Sequence, residues 1–126
     1  MPPVPQISSA EWEVMKVLWR QSEPSSAQIV IDALAEPNDW SPATIKTLLN
    51  RLVNKGALTF QKQGNAYLYS PAVTAADCQA AEAESFLDRV FDGSLSPLVA
   101  HFAKSRRLRK DEIKQLEELL RHARKP

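Results

Sequence analysis

Residues 40–58 read "WSPATIKTLLNRLVNKGAL" and predict one helix with a clear start and a clear end. Ser41 is a residue type that caps a helix N-terminus, and Pro42 follows it at the first helical position, where the N–H that proline lacks has no helical partner. Gly56 stands where helices commonly end in a left-handed residue. We therefore expect an independent helix between these two signals.

The side chains of this helix divide into two faces of different chemistry. One face is aliphatic and follows the helical period expected of a buried side: Ile45, Leu48, Leu49, Leu52 and Val53. The other face is rich in hydrogen-bond donors: Thr44, Lys46, Thr47, Asn50, Arg51 and Asn54. Because the stretch contains no acidic residue, nothing on this face would repel a phosphate backbone. The pattern suggests a helix that contacts nucleic acid.

Charge is segregated along the chain. The 126 residues are 44% hydrophobic and 25% charged, which is typical of one globular domain with a smaller appended segment. The formal net charge is only +1, so a nucleic acid must be met by a local basic patch. Residues 40–70 contain four basic and no acidic residues, whereas residues 71–95 contain one basic and five acidic residues. Positive potential is therefore expected on one part of the fold.

The sequence lacks the features of several other classes of protein. It has no run of about 18 apolar residues, and its first residues lack the plan of a secretion signal, so a cytoplasmic protein is expected. Cys78 is the only cysteine and His101 and His122 are the only histidines, so no metal site and no cofactor are predicted. Glycine-rich phosphate loops, nucleophile elbows and HExxH motifs are missing, which argues against an enzyme.

Two further helices are predicted before the opening stretch. Ser8 and Glu11 have the spacing of a capping box, and the helix they start is expected to end near Arg20. Ser25 and Gln28 repeat that spacing at the start of a second helix, and the sequence EPND is expected to turn the chain after it. This second helix is expected to carry four apolar residues toward the core: Ile29, Val30, Ala33 and Leu34.

Residues 58–71, LTFQKQGNAYLYSP, predict a β-hairpin. Two β-rich runs flank Gln63-Gly64-Asn65, and Pro71 ends the second run because proline cannot continue a strand ladder. Three helices followed by a hairpin, mostly α with a small β wing, form the plan of a winged helix-turn-helix domain. In that plan the third helix enters the DNA major groove. We assign the DNA-binding domain to residues 1–71.

In this plan the polar face of the third helix is the predicted DNA-contacting surface. An exposed helix face is polar in most proteins, but its position as the third helix before a hairpin favours DNA contact. Four residues are predicted to contact bases: Thr44, Lys46, Thr47 and Asn50. Four are predicted to contact the DNA backbone: Ser41, Arg51, Lys55 and Lys62. Tyr67 and Tyr69 are expected to pack within the hairpin.

Residues 72–126 predict three amphipathic helices without a sheet. Thr74 and Asp77 mark the start of the first helix and Gly93 its end, Ser96-Pro97 starts the second, and the third is expected from about Asp111 to Ala123. A segment of this length has little core of its own, and a second copy would bury its apolar stripes. We therefore predict a homodimer formed by residues 72–126. Its contact residues are predicted to be Phe86, Val90, Phe91, Leu98, Phe102, Ile113, Leu116 and Leu120.

The chain resembles the BlaI/MecI/CopY family of bacterial penicillinase and copper-responsive repressors. The resemblance covers nearly the full length and is carried by AEWEVMKVLW in the first helix, by the opening stretch with the later YLYSP, and by the terminal KDEIKQLEELL. It implies a dimeric winged-helix repressor that binds a palindromic operator. It also implies a partner, a membrane sensor with a metallopeptidase domain, which leads to cleavage of the repressor.

The resemblance is incomplete in the C-terminal part. The β-lactam-responsive members are cut at an Asn-Phe bond before the last helix, which corresponds to His101-Phe102 here. The copper-responsive members carry Cys-x-Cys pairs near the C-terminus, whereas this chain has no cysteine after Cys78. Copper sensing by that route is therefore excluded. Arg109 stands where the family has a Ser or Thr that caps the final helix.

Two other functions remain open from the sequence. One is a one-component regulator that binds a small molecule between its C-terminal helices, which a ligand co-purified with the protein would reveal. The other is a winged-helix adaptor that binds protein, although protein interfaces favour aromatic anchors over a donor-rich face without acids. The basic run KSRRLRK, residues 104–110, is either a solvated connector or a further nucleic-acid contact.

Overall fold

The computed structural model describes residues 4–105 and 108–124, which contain six helices and three strands. In chain order these are α1 (Ser9–Trp19), β1 (Ser25–Ser26), α2 (Ala27–Asn38), α3 (Pro42–Lys55), β2 (Leu58–Gln63), β3 (Ala66–Pro71), α4 (Ala75–Phe91), α5 (Ser96–Lys104) and α6 (Lys110–Ala123). The mostly helical architecture with a small antiparallel sheet confirms the predicted fold class.

The chain divides into two compact units, Met1–Ala83 and Glu84–Pro126. The first unit extends beyond Pro71 because the start of α4 completes its core: Cys78 is 2% exposed and belongs to the hydrophobic cluster, with Val73 packed against it. Burial raises the pKa of the Cys78 thiol, and the neighbouring Asp77 carboxylate adds to this effect. The division into a DNA-binding part, 1–71, and a dimerising part, 72–126, concerns function and stays a prediction.

Helix α1 starts at the predicted capping box. The Ser8 hydroxyl accepts a hydrogen bond from the Glu11 backbone N–H at 3.2 Å, while the Ser8 N–H donates to Glu11 Oε1 at 2.8 Å. The helix ends at Trp19, with Arg20 as its C-cap. It buries Val14, Met15, Val17 and Leu18, together with the charged side chain of Glu11.

The predicted capping box at the start of α2 was wrong. Ser25 forms part of β1 and pairs with Tyr69 of β3, so the helix begins one residue later, after Ser26, without a side-chain cap bond. Gln28 donates to Asp32 Oδ1 at 2.7 Å instead of returning to a cap residue. A strand pairing with a distant part of the chain therefore overrides the local capping pattern.

The end and the buried face of α2 also differ from the prediction. EPND turns the chain only at its last residue, because the helix continues through Pro37 to Asn38 and its C-cap, Asp39, has a left-handed φ of 54°. Val30 and Leu34 are buried, but Ile29 is 42% exposed and Ala33 is exposed. The side of α2 that packs in or against the core carries Ala27, Val30, Ile31, Leu34 and Ala35. Ile29 and Ala33 lie outside this stripe.

Helix α3 follows its predicted bounds. Ser41 is the N-cap and its hydroxyl accepts from the Thr44 N–H, Pro42 is the first helical residue, and Gly56 is the C-cap with a φ of 85°. A side chain at Gly56 would be strained at this φ, so glycine explains the abrupt end. The aliphatic face is buried as predicted at Ile45, Leu48, Leu49 and Leu52, and Val53 is half-buried.

The sheet has the order β1-β3-β2 and consists of the predicted hairpin with one added strand. Gln63 pairs with Ala66, so the turn has two residues, Gly64 and Asn65, and Gly64 has a φ of 64°. Pro71 is the last residue of β3, as predicted. The two-residue strand β1 was not predicted, and it ties the start of α2 to β3.

Helix α4 begins in the first unit and ends in the second, which also contains α5 and α6. Helix α4 starts with Thr74 as predicted, because the Thr74 hydroxyl accepts from the Asp77 N–H at 3.1 Å. Ser96 does not cap α5: the N-cap is Leu95, with helical dihedral angles and no side-chain bond. Arg109 is the N-cap of α6, also without a side-chain cap bond.

Candidate nucleic-acid interface

The donor-rich face of α3 is fully available on the surface of the first unit. Each residue of an α-helix is rotated by about 100° from the one before it, so the exposed side chains form an ordered band across the helix. From one edge to the other the band reads Thr44, Arg51, Thr47, Asn54, Asn50 and Lys46, all exposed. The four predicted base-contacting residues therefore share one face.

Hydrogen bonds within α3 decide what its hydroxyl groups can offer a ligand. Ser41 Oγ accepts from the Thr44 N–H at 3.1 Å and lies 3.0 Å from Thr44 Oγ1. Thr47 Oγ1 donates to the Ala43 carbonyl oxygen at 3.0 Å. The Thr47 hydroxyl thus retains acceptor capacity and its methyl group, which suit a base amino group and a thymine methyl respectively.

The edge of the band that carries Lys46 and Asn50 lines a cleft of about 590 Å³. The other walls of this cleft come from the start of α2, where Gln28 lies, and from the hairpin, where Asn65 and Tyr67 lie. The pairing of β1 with β3 brings these walls together, since it fixes α2 beside the hairpin. Polar groups from α2 and from the hairpin therefore converge around two of the predicted base-contacting residues.

A second cleft of about 420 Å³ lies between α3 and the aromatic side chains of the hairpin. Asn50 and Asn54 line it from the helix, and Phe60, Tyr67 and Tyr69 line it from the sheet. The rings of Phe60 and Tyr67 meet edge to face at 5.3 Å. Burial raises the pKa of the Tyr69 hydroxyl, with Tyr67 contributing. Both tyrosines pack within the hairpin, and both also line the two clefts.

Three of the basic residues are exposed: Lys46, which lines the first cleft, Arg51 on α3 and Lys62 on the hairpin. Lys62 pairs with Tyr67 across the hairpin, and paired residues of antiparallel strands project from the same face of a sheet. Lys62 therefore shares its face with the tyrosine that lines the clefts. This arrangement places positive charge on the helix and on the wing.

Lys55 is held by the protein itself. Its Nζ donates to Glu11 Oε1 at 2.5 Å and to the Gln6 carbonyl oxygen at 2.9 Å. Glu11 is 1% exposed, and burial raises the pKa of its carboxyl, but the hydrogen bonds from Lys55 and Ser8 outweigh this effect and lower the pKa overall. Lys55 therefore has a structural role, and its predicted contact with a phosphate stays a prediction.

Several residues of this surface were not identified from the sequence. The alternation of side chains in the hairpin was a usable signal for Tyr67, because it shares a face with Lys62 and Tyr69. No local signal marks Gln28 or the burial of Glu11. Both depend on elements far away in the chain, since β1 pairs with β3 and Glu11 bonds Lys55.

The predicted dimerisation residues lie in α4, α5 and α6. Phe86, Val90, Ile113, Leu116 and Leu120 are between 38% and 59% exposed. Phe91, Leu98 and Phe102 are half-buried, and the Phe86 and Phe91 rings meet at 5.8 Å. Leu95, Val99 and Leu119 are further exposed apolar residues of the same unit.

The predicted cleavage pair is not in the connector between α5 and α6. His101 and Phe102 lie inside α5, because the helix continues to Lys104. The tract between these two helices therefore runs only from Ser105 to Arg109, and residues 106 and 107 of the basic run lie outside the described residues. None of the described helices combines the length and the apolar content that a bilayer crossing requires.

A capped third helix with a donor-rich face beside a β-hairpin defines a winged helix-turn-helix DNA-binding protein. Within that class, the chain belongs to the penicillinase repressor family, whose sequence model matches residues 7–122. The chain is 40% identical to the penicillinase repressor of Bacillus licheniformis over 95% of its own length and 93% of that protein. It is 36% identical to the methicillin resistance regulatory protein MecI of Staphylococcus aureus strain N315, over 91% and 93%.

Solved structures agree with this assignment. The DNA-binding domain of the repressor BlaI matches 61% of this chain and 93% of that domain, with 45% identity and a TM-score of 0.54. Monomeric BlaI of Bacillus licheniformis in complex with the blaP half-operator matches 59% of this chain and 89% of that one, with 46% identity and a TM-score of 0.51. The protein is thus a DNA-binding transcriptional repressor of a bacterial family and not an enzyme.

Proposed function

We propose that this repressor binds a palindromic operator as a homodimer, with one α3 helix in each half-site. Thr44, Lys46, Thr47 and Asn50 contact base edges in the major groove. Their chemistry supports this role, because amide and lysine side chains recognise adenine and guanine, and threonine offers an acceptor and a methyl group. The observation that carries the proposal is the exposed, acid-free band of α3 that adjoins both clefts.

The proposed contacts with the DNA backbone come from α3 and from the hairpin. Arg51 and Lys62 bind phosphates from the helix and from the wing, and Ser41 adds a hydroxyl at the helix start. Lys55 contributes to the same positive field with the ammonium that also holds Glu11. These contacts position the protein and raise its affinity for any DNA sequence.

The second copy is held by the apolar side chains of α4, α5 and α6. Phe86, Val90, Ile113, Leu116 and Leu120 support this role, since clusters of exposed large apolar residues in a small unit are typical of interaction surfaces. Phe91, Leu98 and Phe102 contribute from half-buried positions. Two linked half-sites bind with an advantage of roughly 10²–10⁴ over either half-site alone.

Release follows from loss of this link. A membrane sensor with a metallopeptidase domain leads to a cut at or near His101-Phe102, which separates α6 from the DNA-binding unit. Because α3 is untouched, each half keeps its specificity but loses the advantage of linkage. The signal that starts this sequence acts on the sensor and not on the repressor.

Two measurements test the proposal. Sedimentation of the full chain, with and without an operator selected from random duplexes, should show a dimer bound to two half-sites; a monomer on a single half-site would contradict it. Intact-mass analysis of the protein from induced cells should show a C-terminal fragment that begins at or near Phe102. Full-length protein that persists while repression is lost would rule out release by cleavage.

A further inference from the structure

The joint between β3 and α4, residues 72–74, is held by hydrogen bonds to other parts of the first unit and to the start of α4. The Ala72 N–H donates to the Ala57 carbonyl oxygen at 2.9 Å. The Trp19 indole N–H donates to the Val73 carbonyl oxygen at 3.0 Å. The Thr74 hydroxyl accepts from the Asp77 N–H at 3.1 Å. The Thr74 carbonyl oxygen also accepts from the Cys78 N–H at 3.1 Å, so each residue of the joint takes part in at least one hydrogen bond.

The hydrogen bond from Trp19 differs from the others at the joint because a side chain donates to a backbone carbonyl 54 residues later in the chain. Asp77 is the residue whose N–H would bond Val73 in a helical turn, but Thr74 occupies that N–H as the cap. The Val73 carbonyl is thus left to the indole. Trp12 packs against Trp19 with ring centroids 5.5 Å apart, which limits the positions that the indole can take.

The start of α4 belongs to the same unit as α3 and packs into the same core. Cys78 is buried in the core that α3 also lines with Ile45, Leu48, Leu49 and Leu52. Helix α4 is continuous from Ala75 to Phe91 and so passes the boundary between Ala83 and Glu84. The direction of its first turns relative to α3 is therefore set inside the first unit, at the joint.

We propose that Trp19 is a positioning residue for operator binding, which acts by fixing the direction in which α4 leaves the winged-helix unit. This inference rests on the proposed function, namely two copies joined through the residues after Ala83. In such a dimer the direction of α4 decides how far apart the two α3 helices lie. Reading helices must be about 34–36 Å apart, or a multiple of that distance, to enter two half-sites on one face of DNA.

The hydrogen bond and the packing of Trp19 have separable effects. Packing of the ring against Trp12 and the core stabilises the unit but tolerates small rotations. The N–H bond to Val73 is directional and weakens steeply when its angle changes. Loss of the bond alone should therefore widen the range of α4 directions while the fold and the face of α3 remain.

The test uses the full-length protein with Trp19→Phe, which keeps an aromatic ring and removes the indole N–H. The probes are one half-operator, the full operator, and full operators with one to five base pairs inserted between the halves. We expect unchanged affinity for the half-operator, an affinity for the native operator that falls about tenfold, and weaker discrimination among the spacings. Trp12→Phe is the matched control, because it alters the neighbouring ring and keeps the bond to Val73.

A second variant reaches the joint without changing the core. Thr74→Val removes the cap, which frees the Asp77 N–H to compete with the indole for the Val73 carbonyl, so the same loss of spacing discrimination is expected. Unchanged spacing discrimination in both variants overturns the role of Trp19. Equal losses on half and full operators also overturn it, because Trp19 would then act only on the stability of the unit. If the unaltered protein itself ignores spacing, the proposed dimer on a palindrome fails first.

Discussion

Lys55 Nζ lies 2.5 Å from Glu11 Oε1, and this bond joins the last residue of α3 to the first turn of α1. The second donor contact of Lys55, to the Gln6 carbonyl oxygen, adds the segment before α1. Glu11 is buried and its other oxygen, Oε2, has no hydrogen-bond partner among the described residues. The end of α3 is therefore tied to α1 by this ion pair between an exposed lysine and a buried carboxylate.

Lys55→Ala should destabilise the protein far more than a surface lysine change. The substitution leaves the Glu11 carboxylate buried without its cation, and we expect the free energy of unfolding to fall by about 2 kcal/mol. Lys16→Ala is the control, because Lys16 pairs with Glu13 at 3.8 Å with both side chains exposed, and a change of about 0.5 kcal/mol or less is expected. Urea unfolding curves measure both. Similar losses for the two variants would contradict a structural role for Lys55.

Acid should weaken the native protein more than a Glu11→Gln variant. The folded-state pKa of Glu11 is below its ordinary value of about 4.3, so its contribution is fully present above that pH and is lost as the pH falls through the folded pKa. At neutral pH the variant should be less stable than the native protein, and the difference should shrink below about pH 4. Unfolding free energies measured from pH 7 downward check this, and a constant difference across that range would exclude the linkage.

Alanine variants of the base-contacting set should lose specificity. Thr44→Ala, Lys46→Ala and Asn50→Ala should each weaken operator binding by about 1–3 kcal/mol and random DNA binding much less. At Thr47 the contributions of the hydroxyl and of the methyl group to operator affinity can be measured separately, because Thr47→Ser keeps the hydroxyl and Thr47→Val keeps a methyl. Because the hydroxyl already donates to Ala43, the variant that loses affinity tells whether the acceptor or the methyl contacts the base. Equal losses on operator and random DNA would contradict base contact.

Arg51→Ala and Lys62→Ala should weaken DNA binding without a loss of sequence specificity. Loss of a phosphate contact weakens binding to operator and random DNA alike, and it reduces the slope of log affinity against log salt by about 1 for each contact. Titrations at several salt concentrations measure this slope. A change of sequence preference without a change of slope would move these residues from backbone contact to base contact.

A chain truncated after Ala83 should be monomeric and more stable than one truncated after Pro71. The longer chain keeps Val73 and Cys78, which cover the core of the first unit, whereas the shorter chain leaves that core open. We expect a difference of about 2 kcal/mol in the free energy of unfolding, from the apolar area of these side chains. A dimer of the Ala83 truncation in sedimentation would contradict the proposed interface, because this chain lacks the end of α4 and all of α5 and α6.

Local chemistry made much of this fold predictable. Ser8, Ser41 and Thr74 cap their helices as expected, Gly56 ends α3, and Gly64 forms the hairpin turn, since each signal acts within a few residues. The errors at the start of α5 and on the buried face of α2 are local, whereas two further errors are long-range. Strand β1 forms only because β3 is beside it, and Glu11 is buried only because Lys55 is supplied from another helix.

The same distinction applies to the candidate site. The exposed face of α3 followed from helical periodicity, because its buried side had a clear aliphatic pattern. The clefts could not be predicted, since Gln28 of α2 and Asn65 and Tyr67 of the hairpin meet α3 only in the folded unit. His101 and Phe102 lie inside α5 because the helix that starts at Ser96 continues to Lys104.

The position of His101-Phe102 inside α5 limits when the proposed cleavage can take place. A peptidase binds its substrate as an extended strand, so a bond in the middle of a helix is cut only while the helix is unwound. Helix α5 has nine residues and no side-chain cap, and isolated helices of that length are marginal in water. In the proposed release, the fraction of time that α5 spends unwound would set the rate of cleavage. Substitutions that lengthen or cap this helix would therefore delay derepression without changing operator affinity.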